Sequence, residues 1–163
     1  MSNILKAAVL LLALTFVKPA ASVAQGTNKY KCMIQMTNYM GEGAYIAISL
    51  IDSKGAYEKT LYVMGADKKW YKSLKEWNKF NLSKPTNISA ITGASVSGGD
   101  RSVNVIEIDA SKINAGYKLR FESAVEDKEY NVKDLEIPLT TESLAAKSDG
   151  TGFIRYVRFS AAN

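Results

Sequence analysis

The 163-residue chain contains no histidine and only one cysteine. Without imidazole there is no Ser-His-Asp or Cys-His activation of a nucleophile, and the commonest general acid–base group at neutral pH is missing. Histidine-containing metal sites go with it, and one thiolate cannot build a cysteine site. A lone Cys32 also precludes an intramolecular disulfide, so stability must come from a packed core. No Asp-x-Asp-x-Asp-Gly calcium loop and no Gly-x-x-x-x-Gly-Lys phosphate cradle occurs. Hydrolase and metalloenzyme readings are therefore poor, and the expectation is a protein that is not an enzyme. There is also no block of Lys and Arg, which leaves nucleic-acid binding without support.

What is present begins with an export signal. Lys6 leads into an apolar run over residues 7–17, followed by the small-residue tail Pro19-Ala-Ala-Ser-Val-Ala24. The run is about eleven residues, too short for a helix to cross a bilayer. Small side chains at Ser22 and Ala24 suit signal peptidase, so residues 1–24 read as a signal peptide cleaved before Gln25. Residues 25–163 read as one domain with no membrane span. Of 21 basic residues, Lys6 and Lys18 leave with the signal; the remaining 19 against 16 acidic residues give a net charge of +3. The expected location is periplasmic, or secreted.

Period-two patterning dominates the rest. Tyr30-Lys-Cys-Met-Ile-Gln-Met-Thr37 places Cys32, Ile34 and Met36 on one strand face. Cys32 there reads as an inert buried thiol. Residues 44–51 are apolar on both faces, which predicts a central strand. Asp52-Ser-Lys-Gly55 predicts a hairpin turn into a partner strand over 58–64. Further strands are expected over 103–109, 117–125, 130–137 and 153–159, with Tyr117, Leu119 and Phe121 inward and residues 126–129 as a charged hairpin tip. One helix is expected over 68–80, where Trp70, Leu74 and Trp77 share a face. That stripe reads as core-facing, with ligand stacking as the alternative for the two tryptophans. About seven strands with turns at short intervals predict a β-sandwich.

Between the helix and the later strands, residues 87–99 are rich in Gly, Ala, Ser and Thr, and contain Ser89-Ala-Ile-Thr-Gly-Ala-Ser-Val-Ser97. This segment resembles the flavinylation motif of FMN-binding domains, which runs Asp-x-x-Ser/Thr-Gly-Ala-Ser/Thr-x-Thr/Ser. Thr92, Gly93, Ala94 and Ser95 match it, while Ser89 stands at the usually acidic position and Ser97 at the usual threonine. The resemblance implies that a flavin transferase would join the FMN phosphate to Ser97 as a phosphoester. The alternative is a glycine-rich loop capping the sandwich, with Thr92 and Ser95 bonded to nearby backbone.

The chain as a whole resembles the domain-of-unknown-function 2271 family of predicted periplasmic proteins. The pieces that carry the resemblance are Ala44-Tyr-Ile-Ala-Ile-Ser, Lys59-Thr-Leu-Tyr, Lys69-Trp70 with Leu74 and Trp77, Thr92-Gly-Ala-Ser95, and Ala115-Gly-Tyr-Lys-Leu119 before a strand bearing Glu122. This resemblance implies an immunoglobulin-like antiparallel β-sandwich. It also implies association with PepSY-type membrane proteins that move electrons across the inner membrane. Two functions are expected from it. One is an accessory protein of a membrane redox or iron-acquisition system, carrying electrons on FMN at Ser97. The other is a non-catalytic binding module that docks a membrane partner without cofactor.

Overall fold

The computed structural model describes residues 26–162, so the proposed signal segment lies outside the described residues. Two sheets face each other. The first has strand order β5-β1-β9-β8, formed by β1 (Thr27–Met36), β5 (Arg101–Asp109), β8 (Lys147–Asp149) and β9 (Ile154–Ala161). The second runs β4-β3-β2-β6-β7, formed by β2 (Tyr45–Ile51), β3 (Tyr57–Met64), β4 (Thr92–Gly93), β6 (Lys118–Ala124) and β7 (Tyr130–Pro138). Every pairing is antiparallel except the short parallel contact of β4 with β3. The antiparallel sandwich expected from the periodicity is present; the two strands beyond the expected seven are the short β4 and β8.

The hairpins are set by local chemistry. Between β2 and β3, the Asp52 carboxylate accepts from the backbone N–H of Lys54 (2.9 Å) and Ala56 (2.8 Å), and Gly55 takes φ +88°. Between β6 and β7, Lys128 N–H donates to the Val125 carbonyl at 3.1 Å, with Asp127 at φ +58°.

The sandwich interior is filled from both sides by alternate residues. Cys32, Ile34 and Met36 of β1 meet Ile46, Ile48 and Leu50 of β2, with Leu119 and Phe121 of β6 beside them. Burial removes the Cys32 thiol from water and drives its pKa up, so it stays an unreactive thiol.

A second apolar cluster covers the opposite face of the second sheet. Ala47, Val63 and Ala124 pack there against Tyr71, Leu74, Trp77 and Ile88. This covering layer explains why β2 is apolar on both faces. The helical stretch itself is split. Lys68–Ser73 is a 3₁₀ turn with Asp67 capping Lys69 N–H, and α1 spans Lys75–Ser83. The split rotates Trp70 away from the stripe: Leu74 and Trp77 are fully buried, whereas Trp70 is only half-buried, so the expected three-residue core face holds two. A second short helix, α2 (Thr141–Ala145), is capped by the Thr140 hydroxyl and follows β7.

Candidate functional site

The segment from Thr92 to Ser97 divides into an anchored half and an exposed half. Thr92 and Gly93 form β4, with Val63 opposite Thr92 and Met64 opposite Gly93. The Thr92 hydroxyl donates to the Ile88 carbonyl at 2.7 Å, and Gly65 N–H donates to the Gly93 carbonyl at 2.7 Å. A Cβ on Gly93 would lie 2.5 Å from the Tyr62 hydroxyl, so a side chain there would have to displace the end of that tyrosine. Thr92 and Gly93 therefore serve the sheet. Ala94, Ser95 and Ser97 face solvent.

Val96 pins the exposed half. It forms an isolated antiparallel bridge with Ala44, with Ala44 N–H donating to Val96 O at 2.7 Å and Val96 N–H returning to Ala44 O at 3.2 Å. The buried Val96 side chain joins the core. The Tyr39 hydroxyl braces the bridge, donating to Val96 O at 2.6 Å and accepting from Ala44 N–H at 2.8 Å. Burial pushes the Tyr39 pKa up, which keeps that proton in place.

Ser97 then opens a tight turn. Its carbonyl accepts from Asp100 N–H at 3.2 Å across Gly98 and Gly99, and Gly99 has φ +79°, as the third position of a type II turn demands. Gly98 has no room for a side chain, since a Cβ would sit 2.0 Å from the Tyr39 carbonyl oxygen. Gly99 N–H donates to Thr37 O at 2.8 Å, and the Gln35 side-chain amide donates to Gly99 O at 2.8 Å. The backbone under Ser97 is thus held on both sides while its hydroxyl makes no hydrogen bond among the described residues.

Two shallow depressions border the segment. One is lined by residues 94–97, by Asp100 of the turn and by Arg101 and Asn104 of β5, with Arg101 as its cation. Arg101 donates through Nε to Gln35 (3.1 Å), leaving its terminal nitrogens for another acceptor. The other is lined by Glu42, Tyr45, Trp70, Ser95 and Glu126. An exposed, unbonded hydroxyl in the same depression as a guanidinium suits a phosphoester. Asp100 in the same depression works against the phosphate charge. Ser95 lines both depressions, so a ring system attached nearby has Tyr45 and Trp70 within the same surface region. The donor set fits FMN attachment at Ser97.

The most perturbed titratable cluster lies elsewhere, and patterning alone had not singled it out. Glu122 of β6 is wholly buried beneath the helical layer. Its carboxylate accepts from the hydroxyls of Tyr57 and Tyr130 and from Trp77 N–H at 3.1 Å. Tyr130 in turn accepts from Glu76 N–H at 2.9 Å. Leu74, the N-cap of α1, offers no side-chain bond, so β6 and β7 cap this helix from outside, placing a carboxylate at its positive end. Burial raises the pKa of Glu122 against the pull of its three donors. Around it, Tyr57 stacks on Phe80, Arg120 lies 5.0 Å over the Tyr57 ring, and Arg120 bonds Glu136 through Nε (3.0 Å) and Nη2 (2.9 Å). Glu122 is fully buried among these rings and ties α1 to β6 and β7 through its bonds. The one sequence signal for the cluster is the acidic Glu122 in the strand that follows Ala115-Gly-Tyr-Lys-Leu119.

A second buried carboxylate, Asp134, accepts from the Ser123 hydroxyl and from the N–H groups of Thr151 (3.1 Å), Gly152 (2.7 Å) and Ile154 (3.0 Å), fixing the turn into β9.

Residues 27–156 match the family model described as Predicted periplasmic protein (DUF2271). No curated protein and no solved structure matches the chain. Among the described residues, no helix is long and apolar enough to cross a membrane.

Proposed function

From its membership of the domain-of-unknown-function 2271 family of predicted periplasmic proteins, we propose that this chain is a non-catalytic accessory protein of a membrane redox or iron-acquisition system, with FMN joined to Ser97 as a phosphoester. One observation carries the reading: the Ser97 side chain is exposed and unbonded on a backbone hydrogen-bonded on both sides of it. A modifying enzyme needs a hydroxyl presented this way, and a carrier needs the attached group held at a constant distance from the fold.

When bound, FMN supplies reversible electron transfer, and the protein supplies attachment and orientation. Ser97 Oγ is the acceptor. Gly98 and Gly99 keep the surface beside it free of side chains. Arg101, in the same depression, offers charge complementary to the phosphate. Thr92 and Gly93 hold the segment to β3 and contribute through position only. The partners in this reading are a flavin transferase and a PepSY-type membrane protein. The test is co-expression with an active flavin transferase. Wild type is expected to become yellow and to show covalent flavin fluorescence in a denaturing gel, and Ser97→Ala to stay colourless.

A second reading, a docking module without cofactor, is favoured by the outer face of the first sheet, which no described residue covers. There Met33 and Val103 lie opposite each other, with Lys31, Arg101 and Arg158 around them. If wild type stays colourless beside an active transferase, this second reading replaces the first.

A further inference from the structure

Among the described residues, strand β5 is an edge of the first sheet, bonded to β1 on one side alone. It is nine residues long, its register on β1 is unbroken, and it contains no proline. Val103 is 56% exposed and Val105 48%, two of the four large hydrophobic side chains that stand out in water among the described residues. A long, bulge-free edge with exposed valines is a template for another strand.

The register with β1 decides which backbone groups are free. Ala110 N–H donates to Gly26 O and Met36 N–H to Asp100 O at the two ends of this ladder. In an antiparallel pair such bonds recur at every second residue, so even-numbered residues of β5 bond to β1. Odd-numbered residues, Arg101, Val103, Val105 and Glu107, point their N–H and C=O groups at the open edge. Shallow depressions run beside that edge, lined by Lys59, Leu61 and Ile91 along one stretch and by residues 94–97 along the other.

We infer that β5 pairs with β5 of a second copy of this chain, antiparallel, about a two-fold axis through Asn104. The sequence Arg101-Ser-Val-Asn-Val-Ile-Glu107 is complementary to its own reverse. In this register Arg101 faces Glu107 of the second copy and Val103 faces Val105, all on the outer face. The bonded pairs are then the odd-numbered residues whose groups are free, and Asn104 meets Asn104 at the non-bonded position on the axis. A slip of two residues sets Val103 against Glu107 or Arg101 against Val105, leaving one valine contact on the axis in place of two and setting a charge against a valine twice. The two four-stranded sheets become one continuous sheet. The pairing also occupies both exposed valines. It involves no cofactor, but Arg101 and the depression it shares with residues 94–97 enter both this pairing and the reading of Ser97; solution mass reads the one and covalent flavin the other, so the two fail separately.

The test is the mass in solution of the mature chain, by sedimentation equilibrium across a concentration series. Wild type is expected to associate reversibly to twice its monomer mass. Arg101→Glu turns two attractive cross-strand pairs into repulsive ones and is expected to raise the dimer dissociation constant roughly 30-fold. Arg101→Glu combined with Glu107→Arg restores the pairing. Val105→Pro removes only an N–H that faces the open edge, so the monomer keeps its thermal transition while the dimer is lost. A wild type that stays monomeric at every soluble concentration overturns the inference. So does a dimer that survives both Arg101→Glu and Val105→Pro.

Discussion

Glu122 offers the sharpest test of how the helical layer is attached. Its carboxylate takes three donors, two phenols and the Trp77 N–H, in a fully buried position. Glu122→Ala leaves all three without an acceptor. At about 1–3 kcal/mol for each stranded donor, partly relieved where a phenol turns to solvent, the expected loss is about 3–5 kcal/mol. Glu122→Gln keeps the shape and gives up the charge. It weakens three charge-assisted bonds and the favourable field at the helix N-terminus, a loss of about 2–3 kcal/mol. It also removes the desolvation penalty of a buried carboxylate, which is of similar size or larger. The raised pKa of Glu122 means that desolvation outweighs the donors, so Glu122→Gln should lie within about 1 kcal/mol of wild type at neutral pH. The pH dependence follows. A carboxyl whose folded pKa is raised binds its proton more tightly in the native state. Its contribution is therefore full below the ordinary glutamate value of about 4.3 and is lost as pH rises through the folded pKa. Wild type must accordingly lose stability relative to Glu122→Gln as pH climbs out of the acid range. Urea unfolding followed by tryptophan fluorescence at a series of pH values measures this difference directly, because other titrating groups are common to both proteins. A wild type that gains on Glu122→Gln as pH rises refutes the reasoning, as does a Glu122→Ala variant as stable as Glu122→Gln.

Other consequences can be checked in parallel. Gly98→Ala drives a Cβ to 2.0 Å from the Tyr39 carbonyl and should destabilise by at least about 2 kcal/mol, visible as a lower thermal midpoint; an unchanged midpoint means the turn can relax. Asp134→Ala strands the N–H groups of Gly152 and Ile154 in the turn into β9, while Thr151 N–H keeps the Asp134 carbonyl at 2.8 Å, so amide exchange of Gly152 and Ile154 should accelerate before that of the β2 core. Trp77→Phe loses the indole bond to the Thr60 hydroxyl at 3.0 Å as well as volume, a loss of about 2–3 kcal/mol by chemical denaturation. Cys32 should resist thiol reagents in native buffer and react fully in denaturant; rapid native labelling would show that the sandwich opens.

Much of the fold could be read from alternation alone. Cys32, Ile34 and Met36 share a face in the sequence and in the core, and the Asp52–Gly55 hairpin follows from turn chemistry that acts within four residues. The helical layer could not be read so well. Trp70 and Trp77 have helical spacing, but a 3₁₀ turn over Lys68–Ser73 changes the rotation per residue, and only Trp77 enters the core. The cap of α1 was invisible because it comes from Glu122 and Tyr130, which are distant in the chain. Alternation in β6 set Leu119 and Phe121 inward and so put Glu122 on the opposite face, which reads as solvent until a helix is known to cover it. In the motif around Ser97, the sequence could not separate Thr92 and Gly93, which the sheet consumes, from Ala94, Ser95 and Ser97, which it leaves exposed. That division depends on where β3 and Ala44 lie.

The account of function rests on one atom, Ser97 Oγ, and peptide-level mass spectrometry reads its state most directly. After co-expression with an active flavin transferase, the peptide containing Ser97 should carry the mass of one FMN less one water. Ser97→Ala should carry none, while Ser95→Ala should still be modified. An unmodified wild-type peptide, or a flavin found on any residue other than Ser97, contradicts the proposal.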